Sequence, residues 1–134
     1  MKLARWIFLS AGLYGLVVTA PIYWMEEALG RDYPPAITHP EYFYGFLGVT
    51  LGWQILFLLL ARDPVRYRPM MWPAMLEKGL YVAAVTVLFL QRRIPTLVLG
   101  FGLVDLLFGL LFVVAYVATR PARMDESLRP AHPG

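Results

Sequence analysis

Four apolar runs organise the chain: Leu3 to Tyr23, Tyr42 to Ala61, Pro73 to Leu90, and Pro95 to Thr119. Each approaches the roughly 17–25 residues that a helix needs to cross a hydrocarbon core. The stretches between them are short and carry most of the prolines and charges. The pattern predicts an all-α integral membrane protein, an antiparallel bundle of four transmembrane helices. That bundle occupies residues 1–119 as a single domain, and residues 120–134 form a polar cytoplasmic tail. The opening "MKLARWIFLSAGLYGLVVTA" also has the charged start and apolar middle of a signal peptide. Pro21 directly after the small-residue site argues against cleavage, so a retained first helix is expected.

Composition agrees. Of 134 residues, 59% are hydrophobic and the mean hydropathy is +0.58, too apolar for an ordinary soluble domain. There is no cysteine, which removes disulfides and thiolate metal sites. The net charge is +3, with basic residues gathered at helix ends, so the bilayer is the expected partner and nucleic acid is not. No internal repeat or inverted symmetry of the transporter kind is visible.

Lys and Arg in short loops set orientation. Lys2, Arg5, Arg62, Arg66, Arg68, Arg120, Arg123 and Arg129 fall on one side, against Arg31, Arg92 and Arg93 on the other. Both termini are therefore expected in the cytoplasm.

Charged side chains inside apolar spans are costly and need a partner or a purpose. Glu77, Lys78 and Asp105 are the three, and Gln54 is the main uncharged addition. Counting from the cytoplasmic ends, Glu77 lies roughly 6 Å deep, Gln54 roughly 10 Å and Asp105 roughly 20 Å. Spacing gives each helix a polar stripe: Ser10 with Tyr14, Thr50 with Gln54, Glu77 with Tyr81, and Gly102, Asp105, Gly109 and Tyr116. Turned inward, the stripes point Glu77 toward Gln54, Tyr81 and Asp105. Lys78, one position around, is expected to extend its amine to the cytoplasmic interface. "RDPVRYRP" would cap the bundle with Arg and Tyr. Gly45, Gly48 and Gly52, with Gly102 and Gly109, would allow close helix approach.

Plainer readings stand beside these. Glu77 near a helix N-terminus is favoured by the dipole, with an arginine from the preceding loop to neutralise it. Asp105 would be a hydrogen-bonded lock between helices, and Gln54 interhelical glue. In the first loop, Glu26, Glu27, Asp32, His39 and Glu41 offer one histidine among scattered carboxylates, without metal-ligand spacing. No nucleophile triad, phosphate loop, haem-like His pair or dinucleotide motif is present, so neither a metal nor a cofactor is expected.

"HPEYFYGF", the pair Trp53–Gln54, "RDPVRYRPMMWPAMLEK" and "DLLFGLLFVVAYVAT" from Asp105 together resemble a group of small bacterial four-helix membrane proteins without an assigned function. The "RDPxRYRPMM…EK" tract is the most specific part. The resemblance spans His39 to Thr119 and implies a bacterial inner-membrane protein, without transferring an activity. More remotely, the layout is similar to DoxX-like and EXPERA-type bundles, the latter with acidic residues in an interior cavity.

Two functions compete. In one, Gln54, Glu77, Tyr81 and Asp105 line a cavity, opening toward the cytoplasm or the inner leaflet, that binds a lipid or small apolar ligand. An isomerase, with Glu77 and Asp105 exchanging protons, would be a special case. In the other, the protein is an accessory or assembly subunit of a larger membrane complex or a homo-oligomer. An ion pathway is less favoured, because so small a protomer has little room for a pore.

Overall fold

The computed structural model describes residues 1–121. The chain forms α1 (Lys2–Thr19), a 3-10 turn (Ala20–Trp24), α2 (Glu26–Asp32), α3 (Pro40–Arg62), a 3-10 turn (Arg68–Met70), α4 (Met71–Leu90) and α5 (Thr96–Ala118). Among the described residues there is no strand. Four segments, Lys2–Trp24, Pro40–Arg62, Arg68–Leu90 and Thr96–Ala118, are long and apolar enough to cross a membrane. At 23 residues each, they reach about 35 Å, against about 30 Å of hydrocarbon. Beyond Pro121, the polar tail expected over 120–134 lies outside the described residues.

The boundaries follow proline chemistry. Pro40 opens α3 at its first turn, where its missing N–H is not needed. Pro73 sits within the first turn of α4 for the same reason. Pro21 falls in the 3-10 turn that follows α1. The short α2 was not expected. Glu26 and Glu27 occupy its first turn and Arg31 its last, matching the helix dipole at both ends. Tyr44 of α3 ties it down by donating to Glu26 Oε2 at 2.6 Å.

At the far end of α4, Arg92 adopts φ 57°. The Arg92 N–H reaches Phe89 O and the Arg93 N–H reaches Leu88 O, both at 2.9 Å. This is a Schellman turn with arginine where glycine is usual.

Contacts along the helices establish their directions. Gly12 faces Leu58, Gly15 faces Gln54 and Tyr23 faces Gly48, so α1 and α3 run antiparallel. Val85 against Gly102 and Lys78 against Gly109 set α4 antiparallel to α5. Phe8 stacks on Phe112 and Tyr14 approaches Phe108, which aligns α1 antiparallel to α5. Around the bundle the order is α3, α1, α5, α4. The ring closes poorly, because α4 and α3 barely meet.

The tight half of the core lies toward the N-terminal end of α1. Phe8, Phe57 and Phe112 are fully buried there with Ala4, Leu60, Met71, Ala74 and Ala115. Arg68 closes that end as a cap. Its guanidinium lies 3.7 Å from the centroid of the Tyr116 ring and donates to Tyr116 O at 3.2 Å.

The expected glycine faces are partly corrected. A Cβ on Gly45 or Gly52 would meet nothing within 4 Å, so these point outward. Close approach belongs to Gly12 and Gly15 of α1, where an added Cβ would run into Gln54 and Leu58, and to Gly102, whose Cβ would lie 2.8 Å from Val85. Helix 1 is the smaller-surfaced partner because bulky Gln54 and Leu58 on α3 need a recess.

Candidate functional site

Lys78 is the largest departure from expectation. Its side chain turns into the bundle and is only 7% exposed. Its ammonium donates to Asp105 Oδ1 at 3.0 Å and lies 3.4 Å from Glu77 Oε2. The Phe57 ring is 5.3 Å away. Extension to the interface would have left two carboxylates in an apolar interior without a counter-charge, which costs far more than ordering one lysine. The arginine suggested as partner for Glu77 is engaged elsewhere, with Arg68 on Tyr116.

The cluster is unequal. Two carboxylates share one ammonium, leaving a formal charge of −1 when all three are ionised. Glu77 Oε2 is buried and accepts no hydrogen bond. At 3.4 Å Lys78 supplies it with opposite charge, but at an angle outside hydrogen-bond geometry. One acceptor therefore remains open.

Glu77 lines a cavity of ≈ 140 Å³. Tyr14, Gly15 and Val18 of α1, Phe46, Thr50 and Gln54 of α3, Glu77, Lys78 and Tyr81 of α4, and Phe101, Asp105 and Phe108 of α5 line it. Gln54, Glu77, Tyr81 and Asp105, singled out from the sequence, all come to this one space. Gln54 does not reach an acid; its Nε2 donates to Thr50 O of its own helix at 3.0 Å. Ser10 and Tyr116, placed on the same stripes, do not join. Ser10 is exposed and bonds Ile7 O, and Tyr116 belongs to the Arg68 cap. Lys78, Tyr14 and Thr50 add further polar groups to the lining. The tyrosine and threonine were visible at i, i+4 spacing, whereas nothing local marks Lys78.

The cavity is closed toward the N-terminal end, the cytoplasmic one of the two openings expected. The Phe8–Phe57–Phe112 cluster closes that route. It opens sideways instead. A groove of ≈ 320 Å³ between α3 and α4 shares Phe46, Thr50, Glu77 and Tyr81 with the cavity and adds Val49, Trp53, Leu76 and Leu80. The stacked rings of Phe46 and Tyr81, 6.4 Å apart, stand where the two spaces join.

A cavity near 140 Å³ takes about one benzene-sized group. A larger ligand would seat its polar end there and lay its apolar body along the groove. In the first loop, His39 faces Glu41 at 3.2 Å and Arg31 faces Asp32, both exposed, and Glu26 is held by Tyr44. Among the described residues, His, Asp and Glu side chains nowhere gather in groups of three.

Compared with known protein families, curated proteins and solved structures, the chain matches none.

Proposed function

We propose that this is a multi-pass protein of the bacterial inner membrane, with both termini cytoplasmic, that binds a lipid or small apolar ligand inside the bundle. Supporting this is one observation above others: a buried Glu77–Lys78–Asp105 cluster, with an open acceptor, on the wall of a cavity that continues into an apolar groove between α3 and α4. A ligand with one donor or cationic group would answer the open acceptor. Its apolar part would arrive through the bilayer, since the groove faces outward between the two neighbouring helices that pack least against each other.

Native mass spectrometry of the protein released gently from its own membrane tests this. The expected result is a protomer near 15.2 kDa, or a small multiple, carrying a discrete adduct. Glu77→Gln and Asp105→Asn should each remove the adduct from a folded protein. Retention in both variants would overturn the reading. Sidedness has its own test: the chain has no cysteine, so single cysteines placed at position 2 and at position 92 report the two surfaces to a membrane-impermeant thiol reagent. Protection of position 2 and labelling of position 92 in intact cells supports cytoplasmic termini.

A second reading, an accessory subunit of a larger complex, draws on the outward-facing Gly45 and Gly52 of α3. They present a shallow surface that another helix can approach. Gly52→Leu should then release a partner that co-purifies at fixed ratio. A complex unchanged by that substitution removes this face from consideration.

A further inference from the structure

The antiparallel packing of α1 on α3 brings the start of one helix beside the end of the other. Lys2 and Arg5 of α1 and Arg62 of α3 stand around a cleft of ≈ 650 Å³. Its remaining walls are Trp6, Leu9, Leu58 and Ala61. Among the described residues, none of the three cations has a carboxylate within salt-bridge distance. Asp63, the nearest acid in sequence to Arg62, is turned to its own loop, where Oδ1 accepts the Arg66 N–H at 3.1 Å. Three positive groups on two helices thus converge on one space with no anion among the described residues to balance them, and an apolar wall runs away from them along the helices.

We propose that this cleft binds an anionic phospholipid, with the phosphate among Lys2, Arg5 and Arg62 and an acyl chain against Trp6, Leu9 and Leu58. The two arginines offer forked donors that match phosphate oxygens, and Lys2 adds a point charge. A free phosphate would use the cations and gain nothing from the apolar wall, whereas a lipid uses both. Trp6, 67% exposed, is suited to the headgroup level, where an indole is anchored at both its polar and apolar edges. The site is separate from the internal cavity, since the two share no lining residue. It rests on the bilayer placement proposed above and not on the ligand reading.

The test uses the full chain in neutral micelles doped with equal amounts of phosphatidylglycerol and phosphatidylcholine of identical acyl chains. Lipids retained on the protein are read by native mass spectrometry. Each cation near a membrane surface favours an anionic lipid by a factor of about five, so wild type should retain phosphatidylglycerol over phosphatidylcholine by more than about tenfold. The double change Arg5→Gln with Arg62→Gln should cut the ratio to about fivefold, the share left to Lys2. Arg5→Lys with Arg62→Lys, which keeps the charge and guards against loss of folding, should keep most of the preference. Arg92→Gln with Arg93→Gln, at the opposite end, should leave it unchanged. Equal retention by wild type overturns the proposal, as does a preference undiminished by the double glutamine change. Full displacement of phosphatidylglycerol by millimolar inorganic phosphate would make this a soluble-anion site and overturn the lipid assignment. Failure of the protein to enter bilayers at all would instead overturn the membrane placement.

Discussion

Lys78 of α4 donates to Asp105 of α5 at 3.0 Å, joining the two helices through a largely buried contact. The same ammonium is the sole cation beside Glu77 among the described residues. One lysine therefore keeps two carboxylates inside an apolar bundle. Removing it strands both. Lys78→Met should destabilise the protein by about 3–5 kcal/mol, the usual cost of breaking a buried pair from one side. Adding Asp105→Asn and Glu77→Gln should recover most of that loss. Thermal unfolding of the purified variants checks this. If the triple variant is no more stable than Lys78→Met alone, the lysine acts through packing and not through charge.

Glu77 and Asp105 differ in what they face. Glu77 lines both the cavity and the α3–α4 groove, while Asp105 lines the cavity alone. An apolar carbodiimide delivered from the bilayer should therefore modify Glu77 several times faster than Asp105. Phe46→Ala, which removes one of the two rings at the junction, should speed both reactions. Peptide mapping by mass spectrometry gives the order. Modification of Asp105 first would place the opening somewhere other than between α3 and α4.

The glycines divide by what a methyl group would meet. At Gly12 it would lie 3.0 Å from the backbone oxygen of Gln54 and 2.8 Å from Leu58. Backbone cannot step aside, so Gly12→Ala should cost about 1–3 kcal/mol. At Gly15 the obstacle is the Gln54 side chain, which can swing into the cavity. Gly15→Ala should then cost little stability but weaken ligand retention. Gly45→Ala and Gly52→Ala meet open space and should be neutral or stabilise by up to about 1 kcal/mol through helix propensity. A reversal of this ranking in thermal unfolding would mean that α1 does not pack on α3 as described.

Arg92 holds a left-handed backbone conformation that glycine adopts without strain. Arg92→Gly should raise stability by about 1 kcal/mol while leaving ligand and lipid retention unchanged. Arg92→Val should lower it, since a β-branched residue is least tolerant of that region. Equal stability of all three would show that the α4 terminus opens freely in solution.

How much of this was legible beforehand can be seen residue by residue. Run length, proline positions and the spacing of Thr50 with Gln54 and of Glu77 with Tyr81 are properties of a single segment. They specified four helices and most of the polar part of the cavity lining, because a helix follows a fixed period whatever it packs against. The fate of Lys78 was not such a property. Its amine can reach the interface or a neighbour, and the choice depended on Asp105 arriving opposite it on another helix. The role of Gly12 and Gly15 likewise required knowing that Gln54 and Leu58 face them. The sideways opening depended on which pair of helices packs least, a comparison across the whole bundle. The sequence by itself determined the elements and their polar faces, through local periodicity and the energetics of apolar length. Only the tertiary structure decided the partners, because helix rotation and neighbour order arise from simultaneous packing of side chains far apart in the chain.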